Sequence, residues 1–289
     1  MNRTGLGNNV LITGTPRSGT TLTCHLLNKL PDTVALHEPM RVKAFESLGR
    51  DEMVEEIGRF CEEQRSSLRR RGRAISKNVD GVVPDNPIGE GRSEDGLRKR
   101  LVSKGEIVVD KPLSADFMLV IKHNSAFTAV LESLVGRFPV YGVIRNPLAT
   151  LASWSSVEFS ASSGYARAAE RLDPDLKARL AAIADDLDRQ ICLLDWFHGR
   201  FRRHLAEDAI LRYESVVATG GRALSKVNPD AERLSEPMES RNTNKLYDVG
   251  AMFRIGERLL ASEGAFWEWY TKDSVAELLG ELAEQSNAR

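Results

Sequence analysis

The chain has 289 residues, of which 42% are hydrophobic and 28% are charged, and its formal net charge is −1. This composition is typical of a folded globular protein and excludes a disordered or low-complexity chain. The near-neutral charge argues against a general binder of nucleic acid or of anionic membranes, since both normally carry a basic excess. Any bound anion must therefore be held by a local group of basic residues.

Short apolar segments alternate with amphipathic ones along the chain. Strands are predicted at residues 10–12, 33–36, 106–110, 117–122, 140–144 and 210–213. Helices are predicted at residues 22–30, 42–63, 127–138, 147–151, 175–204 (as one helix or two) and 274–285. The alternation predicts a three-layer α/β protein, in which helices cover both faces of a central parallel sheet.

No stretch reaches the roughly 18 apolar residues that a membrane span needs. Residues 1–9 also lack the charged-then-apolar order of a signal peptide. The cysteines Cys24, Cys61 and Cys192 are odd in number and do not have the spacing of metal ligands. We therefore expect a cytoplasmic protein with reduced, packed cysteines and no membrane span.

Residues 65–100 are rich in Arg, Gly, Pro and Asp and show little periodicity. This composition predicts a loop-dominated segment, which we treat as a candidate lid over residues 65–105. Its basic residues are typical of a solvated face, with contact to an acidic acceptor as the alternative: Arg65, Arg69, Arg70, Arg71 and Arg73. Because the chain shows no internal repeat and no clear linker, we expect a single domain over residues 1–289.

A glycine-rich turn lies between the first predicted strand and the first predicted helix. Gly14 and Gly19 are five residues apart and Thr20 and Thr21 follow, a spacing similar to that of a GxxxxGK[ST] phosphate loop. Backbone N–H groups in such a turn form a donor-rich cradle for an anion. Thr20 replaces the lysine that contacts the β- and γ-phosphates in nucleotide triphosphatases. Arg17 supplies charge instead, and a tight turn without a ligand is the alternative.

The loop sequence TPRSGTTL at residues 15–22 resembles the 5′-phosphosulfate loop of sulfotransferases that use 3′-phosphoadenosine 5′-phosphosulfate (PAPS). Its PRSGTT core is similar to the form seen in tyrosylprotein and carbohydrate sulfotransferases. The resemblance implies a sulfotransferase fold of the phosphate-loop NTPase type, with PAPS as co-substrate and no metal. It also implies cofactor contacts by Arg17, Ser18, Gly19, Thr20 and Thr21.

A second resemblance lies at the strand predicted at residues 140–144. Arg145 ends this strand and Ser153 follows eight residues later, as in the pair that grips the 3′-phosphate in the same family. Ser153 lies about two helical turns beyond Arg145, so that both side chains can face one phosphate at the edge of the sheet. The alternative is an arginine that caps the sheet and a serine within an ordinary helix.

A weaker resemblance covers Tyr213 and Glu214, since a tyrosine at the end of this strand lies near the adenine in the family. A core or capping tyrosine is the alternative. Residues 241–245 (RNTNK) are a candidate for a late loop that closes over the 3′-phosphate. Trp267 and Trp269 are expected to pack in the interior.

Sulfuryl transfer requires a base for the acceptor proton and cations that offset the charge on the transferring group. Glu38 follows the second predicted strand, where the similar tyrosylprotein and carbohydrate enzymes carry a catalytic glutamate. Partial burial would raise its pKa, and arginine neighbours would oppose that rise. A helix cap or an ion pair with Arg41 is the alternative role for Glu38.

His123 is the rival base, because residues 121–124 are somewhat similar to the Lys-Thr-His-Leu-Pro segment of cytosolic small-molecule sulfotransferases. Here Lys122 and His123 are adjacent, and adjacent residues of a strand point to opposite faces. The choice between Glu38 and His123 stays open at this point. The resemblance gives Lys122 the task of stabilising the bridging oxygen, with Lys111 as a competing choice.

These features favour an enzyme that moves a sulfuryl group from PAPS to a hydroxyl or amine of a carbohydrate, lipid or small-molecule acceptor. A phosphate-loop kinase or NTPase is the alternative, with residues 107–110 as the magnesium-holding strand end. A third option is a nucleotide-binding protein without catalytic activity. No nucleic-acid partner is expected, and the sequence leaves the acceptor and the oligomeric state open.

Overall fold

Nine strands and eleven α-helices make up the part of the chain that the computed structural model describes, residues 8–94 and 96–287. The strands are β1 (Asn9–Gly14), β2 (Thr33–His37), β3 (Arg73–Asn78), β4 (Ile88–Arg92), β5 (Arg98–Arg100), β6 (Ser103–Val108), β7 (Met118–Lys122), β8 (Val140–Ile144) and β9 (Ile210–Arg212). The helices are α1 (Thr20–Leu27), α2 (Arg50–Arg71), α3 (Ser125–Ala129), α4 (Leu131–Leu134), α5 (Pro147–Ser155), α6 (Arg167–Glu170), α7 (Pro174–Ala181), α8 (Asp186–His204), α9 (Tyr213–Ala218), α10 (Val249–Leu260) and α11 (Lys272–Asn287).

The central sheet is parallel throughout and has the strand order β2-β7-β1-β8-β9. Its strands form at the segments predicted around residues 10–12, 33–36, 117–122, 140–144 and 210–213, so the predicted α/β architecture is confirmed. Parallel strands end at the same edge of a sheet, which is where open α/β sheets bind ligands. That residues 1–289 form a single domain stays a prediction.

Alternating side chains of β1 pack into two apolar layers, one on each face of the sheet. Leu11 belongs to a large cluster with Phe127 of α3 and Phe197 of α8. Ile12 belongs to a smaller cluster on the opposite face, with Leu27 of α1. Helices therefore cover both faces, and the loops at the carboxyl edge remain open to form a site.

The segment predicted to be loop-dominated contains regular structure instead. α2 continues to Arg71 and ends at Gly72, which adopts the left-handed φ of 63°. Two antiparallel pairs then form, β3 with β6 and β4 with β5. The strand predicted at residues 106–110 thus forms as β6, outside the parallel sheet. Only one face of this pair is covered, so Ile107 is buried whereas Val108 is 62% exposed.

The basic run at residues 65–73 divides into one anchor and a solvated face. Arg65 is buried, donates from Nε to Asn9 Oδ1 at 2.6 Å and stacks on the ring of Phe117 at 4.5 Å. Residues 69–71 are exposed in the last turn of α2, where basic residues complement the helix dipole. The expectation of a solvated face is therefore confirmed for residues 69–71 and is wrong for Arg65, which is a buried anchor.

Several predicted helices are divided in the structure. The helix predicted at residues 42–63 becomes a 3-10 turn at Val42–Ser47 and then α2, with Gly49 between them as the N-cap of α2. The one predicted at residues 127–138 becomes α3 and α4, and residues 175–204 form α7 and α8. Within residues 8–94 and 96–287, no helix has the length and apolar character that a membrane span needs.

All three cysteines are free, and Cys24 and Cys61 are buried in the interior. Burial raises the pKa of both thiols to about 12, so they are protonated at neutral pH. This agrees with the prediction of reduced cysteines that serve packing.

Lys111 is predicted to contribute to stability by capping α1. Its Nζ donates to Asn28 O at 2.8 Å and to Leu30 O at 2.9 Å, the carbonyls that follow the helix. Lys111→Met should therefore lower the free energy of unfolding by about 1–2 kcal/mol. Urea denaturation of this variant beside Lys99→Met, whose side chain is exposed, measures the effect. Equal unfolding midpoints for Lys111→Met and the parent protein would contradict it.

Candidate active site

The turn between β1 and α1 forms a backbone loop at the carboxyl edge of the sheet. Gly19 is the N-cap of α1, adopts a φ of 91° and provides no capping side chain. The N–H groups in the first turn of α1 are therefore available to a ligand. A Cβ at residue 19 would lie 2.7 Å from Tyr213 Cδ2, so the neighbour as well as the dihedral requires glycine. Thr20 and Thr21 line the cavity beside it.

Arg17 extends from this loop toward α5. It adopts a left-handed φ of 70°, a strained conformation that is typical of functional loops. Its Nε donates to Ser153 Oγ at 3.1 Å, and its Nη2 donates to Asn86 Oδ1 at 3.1 Å. Burial lowers the pKa of the guanidinium to about 10, and the positive charge of the nearby Arg145 adds to this effect. Arg17 thus connects the β1–α1 loop to Ser153, the predicted 3′-phosphate residue.

Ser18 does not make the ligand contact that the resemblance implies. Its side chain is fully buried. The hydroxyl is the donor toward two backbone carbonyls, Thr15 O and Val143 O, each at 2.8 Å. The hydroxyl is thus engaged with the backbone, and Ser18 does not line the cavity. Its role in this structure is to shape the loop and fix it to β8.

α5 is fixed to the loop at two points. Asn146 caps the helix by accepting from Leu148 N at 3.0 Å, with Pro147 in the first turn as predicted. Farther along, the buried Trp154 donates from Nε1 to Pro16 O at 2.7 Å. The helix that carries Ser153 is therefore tied directly to the phosphate loop.

Arg145 and Ser153 are brought together as their spacing predicts, and Tyr247 lies between them. Arg145 is 3% exposed, its Nη2 lies 3.5 Å from the Tyr247 hydroxyl, and Tyr247 also hydrogen-bonds Ser153. The guanidinium of Arg145 stacks on the ring of Tyr213 at 4.7 Å. The predicted cofactor residues Arg17, Arg145, Ser153 and Tyr213 therefore form one contiguous cluster.

The late loop at residues 241–245 covers this cluster. Arg145 Nε donates to Asn242 Oδ1 at 2.8 Å, and Arg241 N donates to the Tyr213 hydroxyl at 3.0 Å. Glu214 supports the loop by accepting from Asn242 Nδ2 at 3.0 Å and from the backbone N of Asn146 at 2.8 Å. The loop thus packs on Arg145 and Tyr213, and its closure over a 3′-phosphate stays a prediction.

Glu38 lies at the end of β2 between two ammonium groups. Lys122 Nζ, at the end of β7, donates to Glu38 Oε1 at 2.9 Å, and Lys77 of β3 pairs with Oε2. The backbone of Glu38 is left-handed, with φ 45°, and its N–H donates to Lys122 O at 2.8 Å. The predicted base and the predicted cation are thus in direct contact, whereas the competing Lys111 lies away at the end of α1.

The charges around Glu38 decide its protonation state. Burial alone would raise the pKa of Glu38, but the ammonium groups of Lys122 and Lys77 outweigh burial and hold the pKa well below its usual range. The neighbours that lower the pKa of Glu38 are therefore lysines, where arginines were expected from the sequence. The carboxylate is ionised at neutral pH, the form that a general base requires.

His123 does not reach the cavity. Its Nε2 accepts a hydrogen bond from Met40 N at 3.1 Å, its ring lies 5.1 Å from that of Phe127, and burial lowers its pKa to about 3. Lys122 and His123 thus occupy opposite faces of β7, as the strand period predicts. The histidine in the cavity is His37, whose Nδ1 lies 3.4 Å from Lys122 Nζ.

One cavity of about 1060 Å³ connects these groups. Sequence reasoning missed part of its wall, namely His37, Lys77, Asn86, Arg98 and Tyr247. His37 could have been found from its position next to Glu38 at a strand end. The other four lie in segments without periodicity, and no motif marks them.

The sequence matches no protein-family model and no curated protein. Among solved structures, a sulfotransferase, STF9 from Mycobacterium avium, is similar over 97% of this chain and 77% of its own. The two chains are 14% identical, and the TM-score is 0.35. Similarity at this level does not indicate a shared substrate or reaction.

Glu38→Gln is predicted to destabilise the fold in a pH-dependent manner. Lys122 is 1% exposed and would lose its counter-ion, which should lower the free energy of unfolding by roughly 3 kcal/mol at pH 7. Because the folded-state pKa of Glu38 is depressed, its stabilising contribution is complete above the unfolded pKa and is lost as the pH falls through the folded pKa.

The difference in stability between Glu38→Gln and the parent protein should therefore be constant from about pH 6 to pH 8 and decrease below about pH 4. Urea denaturation across this range measures it. Glu90→Gln is the matched control, since Glu90 is an exposed carboxylate of the same cavity. A difference that stays the same from pH 7 down to about pH 2 would contradict the assignment.

Proposed function

We propose that this chain is a sulfotransferase that moves a sulfuryl group from PAPS to a hydroxyl or amine of a carbohydrate, lipid or small-molecule acceptor. One observation carries the proposal. A phosphate loop without the triphosphatase lysine and the guanidinium of Arg145 open into the same cavity as the ion-paired Glu38 and Lys122, and Ser153 lies buried behind the wall, hydrogen-bonded to Arg17. The site thus combines two anion-binding ends with a base and a cation.

The residues of the cavity suit the two anionic ends of PAPS. The first turn of α1, with Thr20, Thr21 and Arg17, would hold the 5′-phosphosulfate. Arg145 and Ser153 would hold the 3′-phosphate, with Tyr213 beside the nucleoside. Arg17 and Arg145 form no ion pair with a carboxylate of residues 8–94 or 96–284, which favours an anionic ligand.

PAPS would supply the sulfuryl group: the acceptor oxygen or nitrogen bonds to sulfur while the bond from sulfur to the 5′-phosphate oxygen breaks, which leaves adenosine 3′,5′-bisphosphate. Glu38 accepts the proton of the acceptor. Lys122, which donates to Glu38 at 2.9 Å, is placed to offset negative charge on the leaving oxygen. A shift of Lys122 toward that oxygen also frees Oε1 of Glu38 for the proton.

The size of the cavity supports a second substrate beside the nucleotide. Its volume of about 1060 Å³ lies at the upper end of the range for small-molecule pockets, about 300–1,000 Å³, which leaves room for an acceptor beside the nucleotide. The cavity wall also includes Lys77 of β3, which pairs with Glu38, and Val102, which lies between β5 and β6. We place the acceptor against this wall.

A phosphate-loop kinase or NTPase is disfavoured by the strand ends that flank β1. β7 ends in Lys122 and β8 leads into Arg145, where a magnesium-holding strand would carry an acid. Asp110, the candidate for that acid, follows β6 in a separate sheet and is exposed. With Thr20 in the lysine position, these features leave a triphosphate without its usual contacts.

Calorimetry should separate the two classes. Adenosine 3′,5′-bisphosphate is expected to bind in the micromolar range without Mg²⁺, and ATP with Mg²⁺ is expected to bind weakly. Arg145→Ala should raise the dissociation constant of the bisphosphate at least about tenfold, because a charged donor is lost. Tight binding of Mg²⁺-ATP without affinity for the bisphosphate would overturn the sulfotransferase proposal.

Glu38→Gln is expected to abolish turnover of labelled PAPS by an acceptor, since a positioned base contributes about 10²–10⁴-fold to a rate. Affinity for adenosine 3′,5′-bisphosphate should be retained, because Glu38 lies away from Arg145 and Ser153. A screen of hydroxyl and amine acceptors supplies the assay, and Glu90→Gln is the matched control. Near-normal turnover by Glu38→Gln, together with loss of turnover in His123→Ala, would overturn the assignment of Glu38 as the base.

A further inference from the structure

A third arginine, Arg98, lies buried in the wall of the cavity. It belongs to β5, in a segment where the sequence shows no motif. Its side chain is among the most completely buried in the described part of the protein, and the residue is 2% exposed. The Nη2 group donates to Ser156 Oγ at 2.7 Å, whereas the buried Nε has no hydrogen-bond partner within residues 8–94 and 96–284.

The charge of Arg98 is uncompensated. Like Arg17 and Arg145, it forms no ion pair with a carboxylate in the ranges that the structure describes. Burial lowers the pKa of Arg98, which expresses the cost of holding this cation away from water. A buried cation without a counter-ion is strongly unfavourable, so three of them around one cavity indicate a site that an anion completes.

Tyr247 shows where negative charge is stabilised among these cations. Its hydroxyl contacts Arg145 Nη2 at 3.5 Å and hydrogen-bonds Ser153, and the guanidinium of Arg98 lies 5.8 Å from the centre of its ring. Burial would raise the pKa of Tyr247, but Arg145, the bond to Ser153 and Arg17 lower it. An anionic oxygen at this position would meet the same partners.

The connection of β5 to α5 indicates which phosphate of the nucleotide Arg98 would contact. Arg98 N donates to Ser156 O at 3.0 Å, and Glu158 N donates to Arg98 O at 3.1 Å, so β5 is fixed to the end of α5. Ser156 Oγ in turn donates to Ser153 O at 2.9 Å. Arg98 is therefore attached to the helix segment that presents Ser153.

We propose that Arg98 is a nucleotide-binding residue that contacts the 3′-phosphate together with Arg145 and Ser153, with the phosphate at the position of the Tyr247 hydroxyl and the tyrosine moved aside. This inference rests on the proposed function and extends it to a residue outside the two motifs. In this assignment, β5 contributes to the selection of a 3′-phosphorylated nucleotide over one without that phosphate.

The test compares adenosine 3′,5′-bisphosphate with adenosine 5′-monophosphate by calorimetry. Arg98→Met keeps the length of the side chain and removes its charge, so the bisphosphate should bind roughly 10- to 100-fold more weakly. Affinity for the monophosphate should not change. The melting temperature of the ligand-free variant should be no lower than that of the parent protein, because an uncompensated buried charge is removed. Lys99→Met, on the exposed side of β5, is the matched control and should behave as the parent protein.

The outcomes are distinct. If the parent protein binds both nucleotides equally, there is no 3′-phosphate site, and the inference falls with the proposed function. If the parent protein prefers the bisphosphate and Arg98→Met keeps that preference, the inference alone is overturned. A lowered melting temperature with an unchanged preference identifies Arg98 as a structural residue and also overturns it. Should Arg98→Met not fold, Arg98→Lys replaces it: the loss of the guanidinium fork should weaken bisphosphate binding, and unaltered affinity would overturn the inference.

Discussion

The parallel pairing of β1 between β7 and β8 is the constraint on which the candidate site depends. In this pairing Ile12 lies beside Lys122 and Gly14 lies beside Val143. The phosphate loop, the ammonium group of Lys122 and the guanidinium of Arg145 therefore meet at one edge, although more than a hundred residues separate the first from the other two. Backbone hydrogen bonds of the sheet thus determine the geometry of the site, and the side chains occupy positions that the strands have already defined.

The charges of the cavity are divided between two halves of different electrostatic character. On the side of β2 and β7, Glu38 lies between Lys122 and Lys77 and offsets one of their two positive charges. On the side of β8 and α5, Arg17 and Arg145 have hydroxyl, amide and carbonyl partners but no carboxylate among the described residues. The first half is suited to handling a proton and the second to holding an anion. Since the whole chain is close to neutral, this cationic half is a local property of the fold.

Sequence reasoning succeeded where a strand end fixes the position of a residue. Glu38 and Lys122 could be placed at one edge because the apolar runs before them predict parallel strands, and alternation along β7 separates Lys122 from its neighbour. Ser18 shows the limit of a motif, since the sequence does not reveal that the hydroxyl turns inward to the backbone. Arg98 and Tyr247 were not predictable, because their segments lack periodicity and only tertiary packing brings them to the cavity.

The hydrogen bond from Trp154 to Pro16 has a consequence for the thermodynamics of binding. It joins the β1–α1 loop to α5, so these two parts of the cavity wall belong to one preorganised unit whose spacing does not have to be established by a ligand. Less conformational entropy is then lost on association, and more of the interaction energy remains as affinity. The same rigidity favours a ligand whose charged groups match that spacing, so the distance between the charges becomes a criterion of selection in its own right.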